Sequence, residues 1–131
     1  MNTTVTEFNT VHIPSLTAFR NQLTPQKIFE NSERDEYGDL DIYTYSPIHS
    51  FLSRLYRSNF ILPNDQTEWL KQQPKDANVL EADYLPKADL EALRRIITHH
   101  IRKGKSREGH ISLLFESGYF YFFLEVLEKW Q

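Results

Sequence analysis

Apolar side chains recur at helical spacing near the end of the chain. Leu90, Leu93, Ile97 and Ile101 follow one another at intervals of three or four residues, which places them on one face of an α-helix. Gly104 comes just after the last of them. Because glycine adopts left-handed backbone at little cost, we expect it to end this helix.

Two further apolar segments follow, separated by Gly118. Residues 107–116 and 119–130 are apolar on most sides, so we predict a helix in each. Ser106 is the expected N-cap of the first, because a serine side chain can accept a hydrogen bond from the free N–H groups of a helix start. The three helices together should carry most of the core.

The first half of the chain has shorter helical signals. Thr24 followed by Pro25 indicates an N-cap with proline at the first helical position, and Ser46 followed by Pro47 indicates another. Asn59 is expected to be left-handed where the second helix ends. The apolar face of that helix comprises Ile48, Phe51, Leu52, Leu55 and Tyr56.

The remaining N-terminal segments predict extended or irregular structure. Val11 to Pro14 should be extended, since a residue before proline avoids the helical region. Residues 41–45 alternate polar and apolar side chains, so this segment is expected to be extended coil or, at most, part of a minor two-stranded element near Ile13 and Ile42. We expect residues 1–10 to be flexible and residues 31–41 to form an acidic loop.

These patterns predict one mainly α-helical domain over residues 1–131, a single compact bundle of five to seven short helices. A chain of this length can bury a core without disulfides, and its 14% aromatic residues supply large apolar surfaces. The predicted core comprises Phe51, Leu55, Trp69, Leu90, Leu93, Ile97, Ile101, Leu114, Phe123 and Leu127.

The composition of the chain excludes several kinds of site and of protein. The chain has no cysteine, which excludes disulfides, thiolate metal sites and cysteine nucleophiles and fits a reducing cytoplasm. No apolar run reaches the ~20 residues of a membrane span. The first residues lack a basic segment followed by a long apolar one, so we expect no secretory signal. The interpretation is a cytoplasmic protein without membrane contact.

The net charge is −3, but the charges are unevenly distributed. An acidic stretch, interrupted by Arg34, comprises Glu30, Glu33, Asp35, Glu36, Asp39 and Asp41. A basic stretch comprises Arg94, Arg95, Arg102, Lys103, Lys105 and Arg107. The two can be solvated or complementary faces of one fold, or surfaces for a partner.

Several short motifs from residue 45 onward occur in a fixed order. They are Tyr45-Ser46-Pro47 with Phe51, Leu55-Tyr56, Phe60-Ile61, Glu68-Trp69, Ala88-Asp89-Leu90, Leu93-Arg94-Arg95-Ile96-Ile97-Thr98, Ile101-Arg102-Lys103, Glu108-Gly109-His110 and Glu116-Ser117-Gly118. In these stretches, over residues 45–131, the chain resembles a family of small bacterial and phage proteins, the domain of unknown function 6508. Where similar proteins read Arg-Phe-Cys, this chain has Lys105-Ser106-Arg107. The resemblance implies a fold and a candidate site but no activity.

The turn after the Leu90 helix is the first candidate site. Free N–H groups at a helix start, flanked by cations, favour an anion. The candidate anion-binding residues are Thr98, Arg102, Lys105, Arg107, Glu108, Gly109 and His110. The alternative is structural: Arg102 pairs with Glu108, Gly109 allows close packing and Thr98 bonds to its own helix.

The chain carries no recognisable motif for catalysis, a cofactor or a metal. It has no Gly-x-Ser-x-Gly elbow, Walker loop or Gly-x-Gly-x-x-Gly. His99 and His100 point about 100° apart on a helix, so they do not easily ligate one ion. We expect His100 to be a hydrogen-bonded core histidine, and we predict a non-enzymatic protein without cofactor.

The functional expectation is a small protein that regulates or inhibits a macromolecular partner, of the immunity-protein or phage-inhibitor type. Its contact surface would include Glu33, Asp35, Glu36, Asp39 and Asp41, and its partner would be a protein with a basic surface. The alternative is binding of nucleic acid or a phosphate-bearing ligand through residues 94–110. The protein would be a monomer or a homodimer.

Overall fold

The structure, a computed structural model, describes residues 7–131, and 66% of these residues are helical. The predicted mainly α-helical fold is confirmed. The α-helices are α1 (Ile13–Thr17), α2 (Pro25–Asn31), α3 (Ser46–Arg57), α4 (Thr67–Lys71), α5 (Leu90–Ser106), α6 (His110–Glu116) and α7 (Tyr119–Leu127). Short 3-10 helices lie at Thr10–His12, Arg20–Gln22, Ile42–Thr44, Lys75–Ala77, Ala82–Lys87 and Glu128–Trp130.

Helix α5 is the longest element and begins where a side chain can cap it. The Asp89 carboxylate accepts a hydrogen bond from the Ala92 N–H at 2.8 Å. The predicted apolar face is buried at Leu93, Ile97 and Ile101. The prediction for Gly104 was wrong, because this residue lies inside the helix, which continues to Ser106.

The turn into α6 also differs from the prediction. Ser106 is the last residue of α5 and does not cap α6, which begins at His110. Gly109 precedes it with φ +84°, a left-handed conformation that reverses the chain between the two helices. Gly118, at φ +86°, makes the same kind of turn before α7. The last two predicted helices therefore exist, with the first beginning three residues late.

The capping signals in the first half predict the helix starts well. The Thr24 hydroxyl accepts a hydrogen bond from the Lys27 N–H at 3.2 Å, and Pro25 opens α2. Helix α3 begins at Ser46 itself, so the prediction of Ser46 as its N-cap was wrong by one residue: Tyr45 is in the cap position, and among residues 7–131 no side chain caps this start. Asn59 has φ +64° just after α3, as expected of a residue that ends a helix.

The two-stranded element lies within the acidic stretch. Strand β1 (Glu33–Arg34) pairs antiparallel with β2 (Leu40–Asp41), with Glu33 opposite Asp41. The expected location near Ile13 was wrong, because Ile13 opens α1 and is fully buried. Pro14 occupies the first turn of that helix, where its missing N–H is not needed, so it starts a helix there instead of keeping the chain extended.

Phenylalanine rings join the helices in one core. The Phe51 ring lies edge-on to Phe115 and Phe120, with centroids 6.0 and 5.5 Å apart, and Phe60 contacts Phe123 at 5.4 Å. Of the predicted core, Trp69 and Leu90 are partly buried, and the buried set comprises Phe51, Leu55, Leu93, Ile97, Ile101, Leu114, Phe123 and Leu127.

The predicted flexible terminus falls largely outside the described residues. Within them, Phe8 packs its ring edge-on against Phe60, with centroids 5.1 Å apart. Among residues 7–131, no helix combines the length and the apolar character that crossing a bilayer requires.

Candidate functional site

The acidic stretch forms a hairpin whose backbone is held by two of its own carboxylates. Asp35 accepts hydrogen bonds from the N–H groups of Tyr37 and Asp39, both at 2.9 Å. Asp41 accepts one from the Tyr43 N–H at 3.2 Å. Asp35 and Asp41 therefore stabilise the turn and the start of the next 3-10 helix.

The other three predicted carboxylates do not hold the hairpin backbone. Glu33, Glu36 and Asp39 are exposed, and within residues 7–131 their carboxylates make no hydrogen bond or ion pair. Arg34 does not neutralise them directly. It donates to the Gly38 carbonyl oxygen at 2.8 Å and lies over the Phe29 ring, 5.4 Å from its centroid.

Exposed aromatic rings accompany these carboxylates. Tyr37, at the hairpin tip, is 82% exposed, and Phe29 is 58% exposed. Rings this exposed leave apolar surface available for contact with another molecule. We use the name hairpin surface for Phe29, Glu33, Glu36, Tyr37 and Asp39.

The basic turn does not gather the residues predicted for it. Thr98 is fully buried, and its hydroxyl accepts a hydrogen bond from the Leu62 N–H at 2.9 Å, whereas a bond within its own helix was the expected alternative. Arg94, 5% exposed, donates to the carbonyl oxygens of Asn59 at 2.7 Å and Phe60 at 3.1 Å. Both side chains therefore join α5 by hydrogen bonds to the segment that follows α3.

The other cations lie on different sides of the turn. Lys105 lies over the Tyr56 ring, 5.5 Å from its centroid, whereas Arg102 and Arg107 line a groove of about 460 Å³ that also contains Asp65. Hydrogen bonds from Thr67, and then the Arg102 charge, lower the pKa of Asp65, so this carboxylate opposes an anion there.

The remaining predicted residues of the basic turn also lie apart from one another. Glu108 and Gly109 are exposed between α5 and α6, and among residues 7–131 no ion pair joins Arg102 to Glu108. His110 lies at a different pocket altogether. The seven predicted residues therefore do not form one anion site.

A pocket of about 1010 Å³ lies between residues 70–82 and the helices α5, α6 and α7. We call it the histidine pocket, because His100 and His110 line it together with Tyr119. The two imidazole rings have centroids 5.2 Å apart and are inclined by 28°, and His100 Nδ1 lies 3.0 Å from His110 Nε2. His100 is 5% exposed, so the expectation of a hydrogen-bonded core histidine is confirmed.

The hydrogen bonds define which nitrogen atoms carry protons. The Leu80 carbonyl oxygen accepts a hydrogen bond from the Tyr119 hydroxyl at 3.1 Å and lies 3.3 Å from His100 Nε2. A carbonyl oxygen only accepts, so neutral His100 carries its proton on Nε2. His100 Nδ1 then accepts from His110 Nε2–H, which leaves a lone pair on His110 Nδ1.

Burial keeps these groups neutral. It lowers the pKa of His100 to about 4, against the opposing effect of the Leu80 hydrogen bond. Burial, and then the Lys103 charge, also lower the pKa of His110. Burial raises the pKa of Tyr119. The pocket floor is therefore a chain of uncharged, mutually oriented polar groups.

Metal binding would need more ligands than this pair. Within residues 7–131, no three His, Cys, Asp or Glu side chains are placed to hold one ion. Both ring nitrogens of His100 make hydrogen bonds, one of them to His110. The role of His100 is therefore to hold the His110 ring in position.

A comparison with protein-family models identifies the chain's relatives. The model of a family of unknown function, DUF6508, matches residues 9–131. The chain belongs to the DUF6508 family. No curated protein and no solved structure matches this DUF6508 protein.

The DUF6508 match covers more of the chain than the motifs that indicated it. Those motifs begin at Tyr45, whereas the matched residues include the hairpin surface and the whole histidine pocket. Sequence reasoning missed two features of these sites: the exposed rings of Phe29 and Tyr37, and the His100–His110 pair. The aromatic residues within and beside the acidic stretch were a visible signal. His99, His100 and His110 were visible as a possible metal site, but the sequence did not show that His100 and His110 would hydrogen-bond to each other.

Proposed function

We propose that this DUF6508 protein is a non-enzymatic binding protein that regulates or inhibits a macromolecular partner through the hairpin surface. The observation that carries the proposal is the 82% exposure of Tyr37 among carboxylates that have no partner within residues 7–131. Tyrosine is enriched at interface centres because it buries a large ring while its hydroxyl keeps a hydrogen bond.

The charge pattern suits a protein partner with a basic surface. Five carboxylates and one guanidinium lie within residues 33–41, so the hairpin would attract a cationic surface over the range of the screened field. Phe29 and Tyr37 would then supply the apolar contact that slows dissociation. This division of roles is typical of inhibitors that cover a basic site.

The biological setting remains part of the proposal. Immunity proteins and phage-borne inhibitors are often small, acidic and free of catalytic motifs. This protein shares those general properties with them, and the argument from them is one of association. A bacterial or phage protein that acts in the cytoplasm as a monomer or homodimer fits this class.

The test is affinity capture from a lysate of the native host, with and without nuclease. Two variants are compared with the wild type: Tyr37→Ala, and a triple charge reversal of Glu33, Glu36 and Asp39 to lysine. Asp35 and Asp41 are left unchanged because they hold the hairpin backbone. We expect a protein that survives nuclease and is lost with both variants.

A matched control separates the surface from net charge. The triple reversal of Asp83, Glu116 and Glu125 to lysine changes the same number of exposed carboxylates elsewhere. Retention of the partner by this control, together with its loss from the hairpin variants, supports the proposal. Equal loss from both triple variants, or capture of nucleic acid alone, would contradict it.

A second candidate is binding of nucleic acid or a phosphate-bearing ligand at the groove beside α5. The observation in its favour is that Arg102, Lys103, Ser106 and Arg107 line one groove. Asp65 in the same groove weakens this candidate. It predicts binding that falls steeply with salt and disappears in the variant Arg102→Glu, Arg107→Glu.

A further inference from the structure

We propose that the histidine pocket binds a small amphipathic carboxylic acid, with the carboxylate at Lys103 and His110 and the apolar body against Leu80, Leu113 and Phe122. This site lies apart from the hairpin surface and uses none of its residues. The proposal rests on three observations: the apolar walls, the excess of cations and the hydrogen-bonded histidine pair.

The walls of the pocket offer apolar surface that the core does not use. Val79 and Leu114 are buried behind it, whereas Leu80 and Phe122 are half-buried at its sides. Leu113 lines the pocket although it is 63% exposed. Covering this leucine with a ligand would remove apolar surface from water at no conformational cost to the helix. An open volume of about 1010 Å³ suits a molecule of drug-like size.

Cations outnumber carboxylates around these walls. Lys71, Lys75 and Lys103 line the pocket with a single acidic residue, Glu81. Lys71 is engaged by Glu68 at 3.4 Å, whereas Lys75 and Lys103 make no ion pair within residues 7–131. The pocket therefore favours a ligand with one negative charge, and the Lys103 ammonium lies on the same helix as His100.

His110 supplies the second polar contact. Its Nε2–H is directed to His100 Nδ1, and within the described residues its Nδ1 makes no hydrogen bond. If a carboxylate approaches, protonation of Nδ1 provides an N–H donor to it while the bond to His100 stays intact. The ordered chain from Leu80 through His100 holds the His110 ring in place for this contact.

The surroundings of His110 make this contact sensitive to pH. Burial and the nearby cations hold the pKa of free His110 below its usual value. A bound carboxylate would offset those cations and raise the pKa, so binding takes up a proton and strengthens as pH falls. The charged or titratable groups facing His110 are Lys103, His99 and Arg107, with His100 bonded to it and Glu81 and Tyr119 across the pocket.

The first experiment titrates the whole protein with dansylaminoundecanoic acid, a fluorescent fatty acid, and with its methyl ester. The ester keeps the apolar body and removes the charge. We expect saturable fluorescence enhancement with the acid and at least roughly ten-fold weaker binding of the ester. Equal affinity of acid and ester, or no saturable binding of the acid, would overturn the proposal.

Variants then locate the ligand. Leu113→Asn and Lys103→Gln change partly exposed positions and should fold, which thermal unfolding checks. Each should weaken binding of the acid by roughly three- to ten-fold. The matched controls are Val11→Asn, another exposed aliphatic side chain, and Lys105→Gln, a neighbouring lysine outside the pocket. Controls that weaken binding as much as the pocket variants would overturn the assignment.

The pH arm tests the role of His110. Affinity of the wild type for the acid should rise several-fold as pH falls from roughly 7.5 to 5.5, a range in which the ligand carboxylate stays largely charged. Lys103→Gln should keep this dependence, and His110→Gln should remove it. A pH dependence that persists in His110→Gln would exclude the proposed contact.

Discussion

Gly104 and Ile111 are in direct contact across the turn between α5 and α6. A Cβ atom added to Gly104 would lie 2.6 Å from Ile111 Cδ1 and closer still to Cγ1. Glycine inside a helix costs about 1 kcal/mol relative to alanine. That cost is offset here because the missing side chain lets Ile111 pack directly on the α5 backbone.

Gly104→Ala should therefore destabilise the protein, although alanine is the better helix former. We expect a loss of about 1–3 kcal/mol in the free energy of unfolding, because overpacking forces α5 and α6 apart or strains the Ile111 side chain. Urea denaturation of the wild type and the variant measures this change.

The same contact provides its own control. In an Ile111→Ala background the crowding is absent, so Gly104→Ala should be neutral or stabilising, and the two substitutions should be non-additive. A single Gly104→Ala variant that is more stable than the wild type would show that α6 does not pack this closely on α5.

Thr98→Val should destabilise the protein because it leaves a buried donor without an acceptor. The Thr98 hydroxyl oxygen accepts the Leu62 N–H at 2.9 Å, and both residues are buried. Valine has the same shape but no acceptor, so we expect a loss of about 1–3 kcal/mol. Chemical denaturation gives the value.

Thr44→Val is the matched control for this substitution. The Thr44 hydroxyl accepts the Glu33 N–H at 2.7 Å, but this bond is exposed and water can replace it. We expect a loss well below that of Thr98→Val. Similar losses at the two positions would mean that burial of the Leu62 N–H contributes little.

The helices were predictable because their signals are local. Periodic apolar residues identified α3 and α5, and Thr24 with Pro25 identified the start of α2. Gly104 was misinterpreted because a glycine that ends a helix and one that admits a neighbour look alike in sequence. What distinguishes them here is the Ile111 side chain on the next helix, which periodicity does not reveal.

The candidate sites were predictable only where the chemistry is contiguous in sequence. The acidic hairpin residues lie within nine positions of one another, so their common surface followed from the sequence. Thr98 was assigned to an anion site because the sequence does not show what its hydroxyl contacts. The hydrogen-bond donor to that hydroxyl is the Leu62 N–H, which is 36 residues away along the chain. The histidine pocket combines residues 70–82 with three later helices, and its geometry depends on the left-handed turn at Gly109.

His100 should make the protein less stable in mild acid. Its pKa falls from 6.5 to about 4 on folding, chiefly through burial, so the unfolded chain binds its proton more readily. The stability that neutral His100 contributes is fully present above pH 6.5 and is lost as pH falls to about 4. Since one pKa unit corresponds to about 1.4 kcal/mol, the loss should be roughly 2–4 kcal/mol. Urea denaturation at several pH values measures it.

A comparison of variants isolates this contribution from that of the carboxylates, which also titrate in acid. His100→Gln can still accept from His110 and donate to Leu80, but it takes up no proton. Its free energy of unfolding should therefore fall less steeply between pH 6.5 and pH 4 than that of the wild type. His49→Gln, at an exposed histidine, should keep the wild-type slope. If His100→Gln and His49→Gln gave the same pH profile, His100 would have to be hydrated or charged in the native protein, and the oriented chain from Leu80 to His110 would not exist.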